Sequence, residues 1–445
     1  MQYNQPLDQP TNPNAPYFDG NPQAGLQGSI VPASSLEFDQ REVVEVITRA
    51  NVRGYVDFSG TPCAPPGNGD LQQLRKAIEG FITGWSFIID TTITFHVHGV
   101  GADFIDLNAA MFYLRKYYIT IRGHVILQCA GSASGTATQY IYTTALIFRH
   151  PNLDRVSVYG AKMIAPVPVS YSGYASNGPS APQRNTDTNT NLAMLRTKFA
   201  TEFHFTNSSG VWIGPNCPTL MHFDALLLTG DGSTASGINF YNSFGELNND
   251  TYSGIATVNF GAGGIGFELG CSVSIEGPAL NETTLCPLIV LGCGNASGGP
   301  GVYIGDGSYM TMSGNIIAMG NAAHGFMIHP RGGTQHDGGL HSQSNGQNGM
   351  NLYLTSTDYT YGPMSAGTAY TTSTLWKNGQ WGLWAADAWS QAYIHCGAGT
   401  GNANAAGSVY SAYGANVHPT AGDQAISGAC SPPWGVIGNN NAFIG

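Results

Sequence analysis

Gly301-Val302-Tyr303-Ile304, Gly325-Phe326-Met327-Ile328 and Gly349-Met350-Asn351-Leu352 follow one another in steps of 24 residues. The same pattern, glycine, apolar, any residue, apolar, occurs earlier as Gly210-Val211-Trp212-Ile213, Gly237-Ile238-Asn239-Phe240 and Gly266-Phe267-Glu268-Leu269. It returns once more as Gly382-Leu383-Trp384-Ala385. The spacings across residues 210–385 are 27, 29, 35, 24, 24 and 33. A unit this short cannot bury a face alone, so the units are expected to stack as coils. Side chains alternate across a strand, so each apolar pair points inward and the residue between them points out. The leading glycine suits a tight bend with positive φ. Asn321, Asn345 and Asn378 each stand four residues before such a glycine, and Asn stacked at turns can form a ladder. The alternative is an ordinary sandwich with glycine-rich turns; the recurrence favours a solenoid with coils lengthened by loops.

Sixty glycines and only 10% charged residues in 445 describe a neutral, strand-rich body of two or three domains. The charge is unevenly spread. Residues 205–445 hold two basic residues, Arg331 and Lys377, against twelve acidic ones. Nucleic acid and anionic lipid find too few cations there, whereas neutral glycans and proteins remain compatible partners. No apolar run is long enough for a transmembrane helix, so no membrane insertion is expected. Met1-Gln2-Tyr3-Asn4-Gln5-Pro6 lacks the features of a signal peptide. The eight cysteines form no CxxC and no zinc spacing, and are expected to be buried thiols. In an oxidising setting some could pair, with Cys286 and Cys293 the nearest candidates.

Residues 1–27, rich in Pro, Asn, Gln and Gly, read as an extended arm. Residues 28–82 carry two short amphipathic helices. Ser34 and Glu37 form a capping box for the first, whose stripe is Leu36, Val43, Val44 and Ile47. Asp70 caps the second, with Leu71, Leu74, Ile78 and Phe81. They are too small for a large core, so they are expected to pack on other copies or on an assembly partner. Residues 83–160 hold strands near 84–98, 118–121, 124–127, 145–148 and 156–159, with a helix near 104–117 as a solenoid cap. Residues 161–395 form the body, interrupted by a polar, proline-rich excursion at 163–192. Residues 396–445 read as a terminal cap or tip.

Two N-terminal runs, GSIVPASSLEFDQREVV at 28–44 and GDLQQLRKAI at 69–78, resemble the attachment region of tailed-bacteriophage tail fibre and tailspike proteins. HVHGVGADFIDLNAAM at 96–111 and FRHPNLDRVSVYGA at 148–161 resemble the capping-helix entry to a right-handed β-helix in the same family. The likeness covers residues 28–160 well and the remainder only by its coil pattern, and none of these segments is catalytic. It implies a mostly β fold: a right-handed parallel β-helix with short N-terminal helices and a helical cap, assembled as a homotrimer. It also implies a place on the virion tail after assembly in the host cytoplasm. The N-terminal region would dock on tail or baseplate proteins, and the C-terminal part would face a host glycan or protein receptor. Host attachment without catalysis is the expected function. A polysaccharide depolymerase of the same shape, hydrolase or lyase, is one alternative; a purely structural baseplate or collar fibre is another. No cofactor is expected.

Four groups carry candidate chemistry. His96 and His98 alternate on one strand, so they face one side and could hold a metal across a trimer; the plainer reading is a hydrogen-bonded pair. His324, His329, His336, Asp337 and His341 surround the run RGGTQHDGG, a polar turn or an acid/base site. Arg331 within it is expected to have an acidic partner. Trp376, Trp381, Trp384 and Trp389 lie within fourteen residues, and Trp384 is outward in its repeat. Such rings stack on sugars or fill subunit interfaces. A depolymerase needs paired carboxylates; outward Glu268 with Asp306 on the neighbouring coil is the candidate pair.

Overall fold

The computed structural model describes residues 23, 33–52, 57, 61–66, 72–85, 87–133, 135–161, 181–232, 235–248, 254–276, 288–312, 316–336, 340–353, 357–360, 374–376, 378–386, 390–394, 405–419, 430–431 and 443–444. The chain divides into two compact units, one of Met1–Ile88 with Lys116–Tyr118, the other of Ile89–Arg115 with Ile119–Gly445.

The first unit contains helix α1, Ala33–Val52, and helix α2, Gln73–Trp85. The second helix therefore runs through Gly84 and Trp85, read above as strand. Its buried cluster is small: Ile47, Ala50, Cys63 and Ala77, with Val46 and Phe81 against it. Of the expected stripes, among the described side chains, only Ile47 is buried, while Val43, Val44, Leu74 and Ile78 are exposed. The smallest side chains, Ala50 and Ala77, are buried in their place. The side chains of Ser34 and Glu37, and all of Asp70 and Leu71, lie outside the described residues.

The second unit is almost wholly parallel strands in three long sheets of eight, nine and ten strands, with a four-stranded sheet at 92–97, 124–129, 156–159 and 222–224. The chain visits the three sheets in turn. Ile255–Val258 joins the eight-stranded sheet, Gly263–Glu268 the ten-stranded and Ser272–Glu276 the nine-stranded. Leu288–Leu291, Val302–Ile304 and Tyr309–Met312 then repeat the circuit one rung further on. This succession is compatible with a parallel solenoid. Two corners recur with left-handed backbone: Asn242, Leu269, Asp306, Arg331 and Tyr413 leave the ten-stranded sheet, and Asn259, Gly292, Gly320 and Ser344 leave the eight-stranded sheet. One such residue turns the chain sharply enough to start the next strand.

The repeated pattern is the ten-stranded sheet. Val302, Phe326 and Met350 pair in register and are buried, as are Ile304, Ile328 and Leu352. Two expectations need correction. The leading glycines Gly210, Gly237, Gly301 and Gly325 do not have positive φ. They are needed because coils approach closely: a Cβ at Gly210 would strike the carbonyl oxygen of Gly237, and one at Gly301 would strike Asn321 and the carbonyl of Gly325. The third copy is also shifted. Ile265 and Phe267 pair with Val302 and Ile304, so the repeat there is Gly264-Ile265-Gly266-Phe267. Glu268 still points outward, two residues beyond the expected place, and Leu269 is exposed at the corner.

The asparagine ladder forms as expected. Asn321 Nδ2 donates to Asn345 Oδ1 at 3.0 Å, and Asn345 Nδ2 donates to Asn378 Oδ1 at 3.0 Å. All three are fully buried. The same oxygens also accept backbone N–H groups, Asn321 on Asn345 and Asn345 on Asn378. Cys63, Cys129, Cys217, Cys271 and Cys293 are buried free thiols, while Cys286 lies outside the described residues.

Helix α3, Leu107–Leu114, begins at Asp106, whose Oδ1 accepts from Ala109 N–H at 2.7 Å. It packs beside Leu146–Phe148, the end strand of the ten-stranded sheet. There Asn108 donates to the Ala145 carbonyl and accepts from the Ile147 N–H, engaging edge groups that would otherwise stay open. Helix α4, Ala181–Arg196, occupies part of the expected polar excursion. Leu192, Leu195 and Phe199 pack on outward side chains of the eight-stranded sheet, among them Leu227, Ala256, Ile289 and Ile317. Over those four strands the sheet is therefore buried on both faces, which is why Leu226–Gly230, Ile255–Val258, Leu288–Leu291 and Ile316–Met319 are buried throughout and largely apolar. The carboxylate of Glu202, also on this sheet, takes both Arg196 Nε and Nη2, at 2.7 and 2.6 Å, and bonds from Gln139 and Thr229.

Candidate functional site

The outward positions of the ten-stranded sheet align into columns because the strands are in register. One column runs Trp212, Asn239, Gly266, Tyr303, Met327, Asn351, Trp384, Tyr410. Beside it stand Glu268, His329 and Tyr353, two residues further along their strands. Over the later coils these columns form a groove of about 430 Å³. Met327, His329, Asn351, Tyr353 and Trp384 line it from the strands; His324, Asn348 and Gln380 line it from the preceding turns.

The rings make a continuous aromatic path. His329 stacks on Tyr353 with centroids 5.3 Å apart, and Tyr353 lies 6.0 Å from Trp384. Trp384 and Tyr410 are nearly parallel at 5.9 Å, and Trp381 meets Tyr410 at 5.3 Å. The turn beside them is knitted by hydrogen bonds. His324 Nδ1 accepts the Asn348 N–H at 3.3 Å, so that nitrogen carries no proton. Asn348 Oδ1 accepts the Trp381 N–H at 3.0 Å.

Among the described residues no carboxylate, lysine or arginine lines the groove. Burial lowers the His324 imidazole to about 4, so it is neutral at physiological pH. Burial also lowers His329, partly opposed by the Asp306 carboxylate nearby. The lining thus offers apolar ring faces and uncharged hydrogen-bonding groups, the combination that an uncharged, hydroxyl-rich ligand would fit.

The acid pair stands next to the groove. Glu268 and Asp306 are close enough to interact: burial raises the Glu268 carboxyl, and the Asp306 charge raises it further. Burial and the same two carboxylates raise the Tyr303 phenol. The left-handed corner at Asp306, φ 53, places it on the coil after Glu268. A carboxyl held toward its neutral form beside a second carboxyl is an acid/base arrangement in outline.

The other predicted groups separate. Trp381 and Trp384 share one strand and both meet the Tyr410 ring, whereas Trp376 belongs to the eight-stranded sheet and Trp389 lies outside the described residues. His341 is buried on the eight-stranded sheet and lowered to about 4 by that burial. His336 is on the nine-stranded sheet, and Asp337 is outside the described residues. Of that cluster, among the described residues, His324 and His329 line the same groove. Arg331 is exposed and makes no ion pair among the described residues.

His96 and His98 do not share a side. His96 is exposed at the end of its strand. His98 has left-handed backbone, φ 64, which turns it out of the strand alternation. Its ring stacks on Tyr140 at 4.0 Å, and Nε2 meets the Tyr142 hydroxyl at 2.7 Å. Among the described residues no three His, Cys, Asp or Glu side chains gather to hold a metal.

Tyr353, Tyr410, Asn348 and Gln380 were missed by sequence reasoning. Tyr353 and Tyr410 could have been found by extending each repeat by two residues and aligning one further coil. Asn348 and Gln380 stand just before the leading glycine and next but one before it, a turn position the strand pattern ignores. In comparisons with known proteins the chain matches no family model, no curated protein and no solved structure.

Proposed function

We propose that the chain is a virion adhesin, a homotrimeric tail fibre or tailspike whose coils form a right-handed β-helix capped by α3. Its N-terminal region docks on tail or baseplate proteins, and its coiled body holds a neutral host-surface glycan in the groove around Trp384. It assembles in the host cytoplasm and acts on the virion. The observation that supports this most is the groove: aromatic, uncharged, and set on a half-chain with two basic residues in 241 positions. The test is retention on a panel of immobilised bacterial surface polysaccharides. Retention by a neutral member, lost in Trp384→Ala, is expected; no retention on any member overturns the reading.

Glu268 beside Asp306 favours a second reading, a depolymerase acting at the edge of the same groove. Polymer shortened by the wild-type protein and left intact by Glu268→Gln would establish it in place of simple adhesion.

A further inference from the structure

The aromatic path does not stop at the groove. Six rungs before Trp384, in the same column, Trp212 points outward and is 39% exposed. Its ring lies 6.1 Å from that of Tyr241 on the next coil, a second platform built like the first. Ile147, on the rung before Trp212, is also exposed and widens the apolar surface.

Between the platforms the floor is kept low. Gly266 occupies the column between Asn239 and Tyr303, and a Cβ there would meet Asn239 Oδ1 at 2.9 Å and Glu268 Oε1 at 3.3 Å. Gly305 does the same beneath Tyr303, whose ring occupies the place of a side chain. Glu268 and Asp306 flank this low stretch. They repel negative charge and accept hydrogen bonds from hydroxyls.

We infer that Trp212 and Tyr241 form a second subsite for the same ligand, so the ligand is a long neutral glycan lying along the stack of coils. This rests on the groove reading above. From Trp212 to Tyr410 is seven rung steps, about 34 Å at the spacing of hydrogen-bonded strands. A disaccharide or trisaccharide fills only the groove; a chain that also reaches Trp212 crosses the floor at Gly266. Acidic polymers are rejected at Glu268 and Asp306. The occupant follows from continuity: both platforms share one column, one register and one uncharged aromatic chemistry.

The test is an array of neutral and acidic oligosaccharides, each series graded from short to long, probed with the full chain. Wild-type protein should bind long members of a neutral series at least tenfold more tightly than short ones. Trp212→Ala should remove that gain, about tenfold or 1.4 kcal/mol, and leave binding of short members unchanged. Trp212→Phe should restore most of it. Trp384→Ala should weaken short and long members alike. Affinity independent of length, or a long-member affinity untouched by Trp212→Ala, overturns the second subsite and leaves the groove standing. Preference for an acidic series overturns the assigned ligand class. Binding to no member removes the groove reading and this one together.

Discussion

Replacing Asn345 by alanine should cost the stacked parallel sheets more than any other single polar change in the asparagine ladder. Asn345 is fully buried and sits between two like residues. Its Oδ1 accepts the backbone N–H and the Nδ2 of Asn321, both at 3.0 Å. Its Nδ2 reaches Asn378 Oδ1, Ser342 Oγ and the Ala318 carbonyl at 3.0 to 3.2 Å. Alanine strands two donors on the fully buried Asn321. An orphaned buried donor costs about 1–3 kcal/mol, so the pair costs about 4 kcal/mol, with little returned by packing. Asn378 keeps its bond from the residue 345 N–H, so the damage is directed toward the earlier coil. Urea denaturation gives the loss, and hydrogen exchange locates it, with faster exchange at the Asn321 and Gly346 amides. A cost below about 1 kcal/mol, or exchange unchanged at those amides, would refute the ladder as a source of stability.

On the proposed adhesin reading, Trp384→Ala should weaken binding of a neutral glycan more than tenfold, equivalent to about 2 kcal/mol by titration calorimetry, with an unchanged circular dichroism spectrum, because the ring is on the outward face. Arg196→Ala should lower stability by about 3–5 kcal/mol in chemical denaturation, since Glu202 is left charged with its side chain 1% exposed. Arg196→Lys should recover less than half, having no paired donors. Stability should also fall between pH 6.5 and about 4. His324 and His341 are held at about 4 by burial, so the unfolded chain takes up protons first as pH drops through the ordinary histidine value. Unfolding curves at pH 7 and pH 4.5 check this; equal stability at both would count against burial of the two rings. Glu202 acts in the same direction at lower pH. Burial pushes its carboxyl up, but the bonds from Arg196, Gln139 and Thr229 outweigh that and hold it below its ordinary value.

Much of the coil pattern was readable because it is local. The alternation around Tyr303, Met327 and Asn351 needs only that strands pleat, and the spacing of Asn321, Asn345 and Asn378 needs only that coils repeat. Where length varies, local reading slips. The copy near Gly264 was misplaced by two residues because Gly264 and Gly266 both precede an apolar residue, and only pairing with Val302 chooses between them. Helix α4 was missed for a different reason. Its Thr and Asn run has poor helix propensity and two apolar anchors, so its helicity comes from the apolar columns it covers.

The amino-acid sequence by itself determined the repeat, the inward apolar positions, the ladder and the shortage of basic charge. Each of these depends on residue type at a fixed interval. The tertiary structure alone decided which residues of different coils meet. It brought Tyr353 and Tyr410 to Trp384, set Glu268 beside Asp306, and sent His341, Trp376 and His98 elsewhere. The reason is register. A corner residue with left-handed backbone, or a loop of unequal length, moves a side chain to another sheet or rung without altering the pattern that encodes the strand.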